Sequence, residues 1–302
     1  MIIPAALKKG DTIAITATAR SISHAEIKVA INLIENEGFN VIVDNTIGLS
    51  HSIFAGNENA RLESFQRFLD DDIVKAIWCA RGGYGAVHII DLLNWSNFYK
   101  NPKWIIGFSD VTNLHVQLQS MGFASLHAEM PLRMENQAGQ ESAQLAFSVL
   151  ESPNSQHFEW NSTLNCQTGS CMGTLIGGNL ATLVSHIGTE TMPNLNNSIL
   201  FIEEVGEYVY RVERMLLQLK RSGALNQLKG VLIGDFTEIE DNNTAFYKSW
   251  QQVVKSTFAD LNIPVAFGFK AGHGEYNWPL ILGGEYSLSF ENNTWHLVTD
   301  HI

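Results

Sequence analysis

What most constrains this chain is the regular alternation of short apolar runs and amphipathic segments through its first half. Thr12 to Ala17 reads as a buried strand. His24 to Glu37 carries Ile27, Ala30, Ile31, Leu33 and Ile34 at helical spacing, and Gly38 stops it. Asn40 to Val43 is the next strand, Asn57 to Asp70 a polar helix with Leu62, Phe65 and Leu69 on one face, and Lys75 to Cys79 a strand. Ala86 to Leu93 reads as a helix, Trp104 to Gly107 as a strand and Val111 to Met121 as a helix. Strands that alternate with helices in this way pair in parallel, with helices on both faces of the sheet. Ligands of such sheets sit beyond the carboxyl ends of the strands. Two segments fall at such ends: Arg81-Gly82-Gly83-Tyr84-Gly85 and Phe108-Ser109-Asp110.

A chain of 302 residues holds one large domain or two ordinary ones of roughly 100–200 residues. The α/β pattern of residues 1–132 gives way at 133–172 to a stretch rich in Asn, Gln and Ser, read as a linker with a short helix around Gln144 to Leu150. Residues 173–302 form a second, mixed unit opening at Gly173-Thr174-Leu175-Ile176-Gly177-Gly178-Asn179-Leu180. Its expected strands are Ser198 to Ile202, Gly230 to Ile233, Val265 to Gly268 and Tyr286 to Phe290, with helices at Tyr210 to Arg221 and Ala245 to Phe258.

The net charge of −12, from 31 acids against 19 bases, excludes a nucleic-acid partner, which needs a basic patch. No run reaches the roughly 18 apolar residues of a membrane span. The first residues place Lys8 and Lys9 after the apolar stretch, the reverse of a signal peptide. Three cysteines, Cys79, Cys166 and Cys171, are an odd number without paired spacing. A reducing, cytoplasmic setting is the expectation.

Ser109 stands at a strand-to-helix turn, where a side chain is exposed and the helix amides point outward as donors. Read as a nucleophile, it would find its first oxyanion donor in the Asp110 amide. The turn departs from the Gly-x-Ser-x-Gly elbow because Val111 replaces the second glycine, so a plain helix N-cap is the other reading. The glycines of Arg81 to Gly85 let backbone approach a ligand, and Gly82 or Gly83 offers a second oxyanion donor; a tight turn alone also explains them. Arg81 is a candidate clamp for a substrate carboxylate. Glu203 and Glu204 end a buried strand, where a carboxylate is costly unless partnered, and either could orient a histidine. His273, flanked by Gly272 and Gly274, has the open setting of a general base; His115 and His127 compete with it. No His/Cys cluster has metal-ligand spacing, so neither metal nor cofactor is expected.

In register, these segments resemble the LD-carboxypeptidases, a serine peptidase family that includes microcin C immunity peptidases. The resemblance runs through Gly10-Asp11-Thr12-Ile13-Ala14, Phe54-Ala55-Gly56, Ala80 to Gly85, Gly107 to Thr112, Gly177 to Leu180, Leu200 to Glu204, Tyr210-Arg211, and Gly272-His273-Gly274 with Asn277. It implies a flavodoxin-like, doubly wound N-terminal domain and a smaller C-terminal domain of swivelling β/α type. It implies Ser109 as nucleophile, His273 as base and Glu203, ahead of Glu204, as the residue orienting it. The oxyanion hole would be the amides of Asp110 and of Gly82 or Gly83. The implied reaction is release of the terminal D-alanine from cytoplasmic murein tetrapeptide during cell-wall recycling, by a homodimer. Departures lie at His127-Ala128-Glu129, where relatives have His-Gly-Pro, at Tyr208-Val209, where many have Pro-Pro, and at Thr16-Ala17-Thr18-Ala19, where the family has Ala-Pro-Ser. The alternatives are an immunity-type peptidase acting on an aminoacyl-nucleotide, with Phe158 and Trp160 as stacking candidates, and a catalytically silent small-ligand binder.

Overall fold

The computed structural model describes residues 1–299 apart from 163, 165, 166, 242 and 243, so Cys166 lies outside the described residues. The first sheet takes five parallel strands from the first half of the chain: β1 (Thr12–Thr16), β2 (Asn40–Val43), β3 (Val74–Cys79), β4 (Trp104–Gly107) and β5 (Ser125–His127). Their order is β2-β1-β3-β4-β5. That is the flavodoxin order, and it switches direction between β1 and β3. Every residue of β1 and β4 is buried, as a sheet covered on both faces requires.

The covering helices are α1 (Lys28–Asn36), α2 (Glu58–Asp70), α3 (Ser96–Lys100) and α4 (Thr112–Ser120). Asn57 caps α2 by accepting the Ala60 amide at 2.8 Å. The helix expected over 86–93 is instead two 3-10 turns, Ala86–His88 and Ile90–Leu92, which connect rather than cover.

Residues 133–172, expected as a linker, hold more structure than that. Asn136 caps α5 (Gln137–Glu151), a 15-residue helix more than twice the expected length. It buries Ala138, Ala143, Ala146, Phe147 and Leu150, and Phe147 meets Phe39 and Trp78. Three of those core contacts are alanines, so the apolar period is faint in the sequence. β6 (His157–Trp160) follows.

The second sheet is built on β7 (Ser170–Asn179), β8 (Ser198–Val205), β9 (Gly230–Thr237) and β10 (Val265–Phe267), parallel and in chain order. Between them run α6 (Leu180–Ser185), α7 (Val209–Arg221) and α8 (Trp250–Phe258), the last with a Ser249/Gln252 capping box. Antiparallel strands β12 (Glu285–Glu291), β13 (Thr294–Thr299) and β6 extend the sheet beyond β7.

The halves interlock. β11 (Leu280–Leu282), from the end of the chain, pairs antiparallel with β5 and becomes the sixth strand of the first sheet. One buried cluster runs from Ile13 and Trp78 through Leu280 to Phe201 and Leu232. The segments after β4 meet the carboxyl end of β7 and, through Phe108 and His273, that of β8 across this junction. α4 packs on the end of β7, where the Asn179 amide donates to Thr112 Oγ1 at 3.0 Å. A Cβ on Gly178 would lie 2.6 Å from that same oxygen, so only glycine permits the approach.

Candidate active site

Gly107 ends β4 at φ 152°, and Ser109 follows at φ 61°, in the left-handed region. A non-glycine residue there costs on the order of 1–3 kcal/mol and persists only where its surroundings hold it. The N-caps of the 3-10 turn and of α4 are Phe108 and Val111, with no side-chain cap bond at either, so Ser109 is not the N-cap that its local sequence also allowed. The missing elbow glycine has a steric reason. A Cβ on Gly107 would meet Val111 Cγ2 at 2.8 Å, so the valine fills the space that Gly107 leaves empty.

The glycine loop after β3 packs directly on this turn. A Cβ on Gly82 would come within 3.2 Å of Ser109 Oγ and 3.3 Å of the Asp110 amide nitrogen. The Asp110 carboxylate ties loop and turn together by accepting the Ala86 amide at 2.9 Å, and burial raises its pKa. Gly83 is covered from the other side by the side chain of Arg20, an exposed cation that the sequence reading passed over. Arg81 spends one guanidinium donor on the Ser21 carbonyl at 2.9 Å.

Across the junction, Glu203 and Glu204 lie inside β8, which runs three residues further than its apolar core suggested. The β8–β9 register shifts between Ile202 and Glu204, so Gly234 and Asp235 on β9 oppose the single residue Glu203. Such a bulge re-aims side chains. Glu203, fully buried, accepts from His273 Nδ1 at 2.7 Å. Glu204 accepts the Ala181 amide at 2.8 Å, the Val205 amide at 2.9 Å and Asn179 Nδ2 at 3.1 Å. Burial, with the neighbouring Glu203 charge adding to it, pushes the Glu204 pKa up to about 7. The two glutamates thus divide: one meets the histidine, the other pins the start of α6.

His273 lies edge-on to Phe108, the residue before Ser109, with ring centroids 4.8 Å apart. Its loop is closely fitted. A Cβ on Gly272 would fall 2.8 Å from Glu203 Oε2, and one on Gly274 would run into the Asp235 carboxylate. Asp235 is a third acid beside His273 that the sequence did not flag; burial raises its pKa to about 6. From the first half, Arg133 donates to the carbonyls of Gly272 and Gly274, lies over the Phe108 ring and pairs with Glu129 at 3.5 Å. Glu129 is fully buried, and burial lifts its pKa to about 7 against the pull of Arg133 and the Met130 amide.

The competing histidines are fixed elsewhere. His115 bridges Ser125 Oγ at 2.8 Å and the Gly107 carbonyl at 2.9 Å, with its pKa pushed down to about 4 by burial. His127 faces Asn277 Oδ1 at 3.2 Å, and burial holds it neutral. Trp160 is buried and donates to the Phe267 carbonyl at 2.9 Å, while Phe158, half-buried, stacks on Trp278. With Nδ1 of His273 engaged by a carboxylate, its Nε2 is left as the proton acceptor. That arrangement, next to a serine on a strained turn lined by amides, suits nucleophilic acyl transfer.

Comparison with known proteins gives the same direction. The LD-carboxypeptidase N-terminal domain profile matches residues 13–128, and the LD-carboxypeptidase C-terminal domain profile matches residues 172–288. A Synechocystis sp. protein carrying a carboxypeptidase name is 30% identical over 96% of this chain and 95% of its own. The murein tetrapeptide carboxypeptidase of Pseudomonas aeruginosa is 28% identical over 88% of this chain and 90% of its own. Among solved structures, the muramoyltetrapeptide carboxypeptidase of Oxalobacter formigenes superposes with a TM-score of 0.86 at 28% identity, covering 96% of this chain and 99% of that one. A microcin C7 self-immunity protein in complex with aspartyl sulfamoyl adenosine reaches a TM-score of 0.88 at 20% identity over the full length of both chains.

Proposed function

The chain belongs to the LD-carboxypeptidase family of peptidases, and on that premise we propose that it is a serine carboxypeptidase that releases the terminal D-alanine of murein tetrapeptides in the cytoplasm, as a homodimer. The observation that carries the reading is the 2.7 Å contact between buried Glu203 and His273 Nδ1, on a loop packed against the Ser109 turn. Ser109 Oγ attacks the carbonyl of the L,D-bond while His273 Nε2 takes its proton. Glu203 holds the imidazole in the tautomer with hydrogen on Nδ1 and balances the imidazolium that forms. The oxyanion is received by the amides of Asp110 and of Gly82 or Gly83. The C–N bond then breaks, His273 returns the proton to the departing D-alanine amine, and water hydrolyses the acyl-enzyme by the same relay. Arg81, with guanidinium donors left beyond its bond to Ser21, is the proposed partner of the substrate's terminal carboxylate.

The murein reading is preferred over an aminoacyl-nucleotide substrate because, of the two stacking candidates between the domains, Trp160 is buried with its indole N–H on the Phe267 carbonyl and Phe158 already stacks on Trp278. Ser109→Ala decides the nucleophile. D-alanine release from tetrapeptide should fall by on the order of 10⁴-fold or more with the melting temperature unchanged. Turnover retained in that variant overturns the assignment, and wild-type cleavage of an aminoacyl sulfamoyl adenosine in preference to tetrapeptide would move the substrate class.

A further inference from the structure

β6 and β13 pair antiparallel at the edge of the second sheet, with Trp295 opposite Trp160, His296 opposite Glu159 and Leu297 opposite Phe158. Alternation along the strands turns Phe158, Trp160, Trp295 and Leu297 inward and leaves His157, Glu159 and His296 together on the outer face. There, His157 Nε2 lies 3.1 Å and His296 Nδ1 3.3 Å from the same oxygen, Glu159 Oε1. All three ligand atoms fall within 4.8 Å of one another. The rings lean together, with centroids 5.9 Å apart.

We propose that His157, Glu159 and His296 form a binding site for a divalent transition-metal ion of the zinc class, which clamps the edge strand β6 to β13. Two ligands each about 2.0–2.2 Å from a tetrahedral Zn²⁺ stand roughly 3.4 Å apart, close to the spacings found. Two imidazoles and one carboxylate suit zinc, nickel or cobalt, whereas magnesium and calcium take oxygen ligands. The ring nitrogens converge on one carboxylate oxygen, so an ion enters by displacing those contacts with only a small movement of the exposed His157. Three protein ligands leave one position for water. The site is built on a strand pair that contains neither Glu203 nor His273, and it is separate from the chemistry proposed for Ser109. Sequence spacing could not reveal it, because His296 is far along the chain from the His157-x-Glu159 pair. Fastening an edge strand also blunts an edge open to pairing with another chain.

Calorimetric titration of metal-free protein with ZnCl₂ tests the site. Wild type and Ser109→Ala should each take up one ion per chain, with a raised melting temperature, and MgCl₂ should give no heat. His157→Ala, His296→Ala and Glu159→Gln should each weaken zinc binding by at least tenfold while metal-free protein keeps its circular dichroism. If either histidine variant loses its fold, Glu159→Gln, which keeps the side-chain shape, carries the test. Absence of zinc uptake by wild type, or unchanged affinity in the His157→Ala/His296→Ala double variant, overturns the proposal.

Discussion

Adjacent glutamates in one strand have opposite fates here, and the difference is measurable. Glu203→Gln keeps the volume beside Gly272 but replaces an acceptor with an amide, which favours the wrong imidazole tautomer; kcat should drop by roughly 10³–10⁴-fold with KM little changed. Glu204→Gln should leave kcat within a few-fold and instead lower stability by about 1–2 kcal/mol, because amide donors of Ala181 and Val205 depend on that carboxylate. Steady-state kinetics and urea melts on the pair separate the two roles. Glu129 gives a pH prediction. Its folded pKa of about 7 exceeds its ordinary value of 4.5, so the folded state holds the proton more tightly than the unfolded one. The stability this brings is present below about pH 4.5 and is lost as pH rises through 7. Glu129→Gln should therefore flatten the fall in unfolding free energy between pH 5 and pH 8 by about 2 kcal/mol, read from denaturant melts at each pH. At this scale the sequence was informative in part. Ser109, Glu203 and His273 stand out by motif, and Glu203 and His273 do meet. Asp235 had no signal, since its place beside Gly274 depends on a bulge in β9 that only strand pairing creates.

Between elements, α4 fits closely against the end of β7. Gly178→Ala would press a methyl group onto the Thr112 side chain at a backbone φ of 142°, which an alanine adopts poorly. The expected cost is about 1–3 kcal/mol. Because α4 begins just after Ser109, kcat/KM should fall with it; thermal melts and kinetics on the one variant check both. Strands and helices of the first half were legible because their apolar runs are long and their glycines punctuate them. The reading failed where the signal was small or distant. α5 packs largely through alanines, β5 has three residues, and the partner of β11 lies more than a hundred residues upstream.

As a whole molecule, the chain is not two beads on a string. A first sheet completed by Leu280–Leu282, a core shared by both sheets, and Arg133 reaching the Gly272 and Gly274 carbonyls make the halves mutually dependent. Calorimetry should record a single cooperative transition with matching calorimetric and van't Hoff enthalpies. A fragment of residues 1–132 should be insoluble, checked by expression and sedimentation, because it leaves the β5 edge bare and the junction face of α4 uncovered. The contribution of β11 to the first sheet also sets a timetable for birth on the ribosome. Five strands emerge early and must wait, with one margin open, until Leu280–Leu282 have been translated. The nascent chain is thereby exposed to mispairing until that strand has been made, and the Phe108 ring beside Ser109 cannot pack on His273 before residue 273 has left the ribosome.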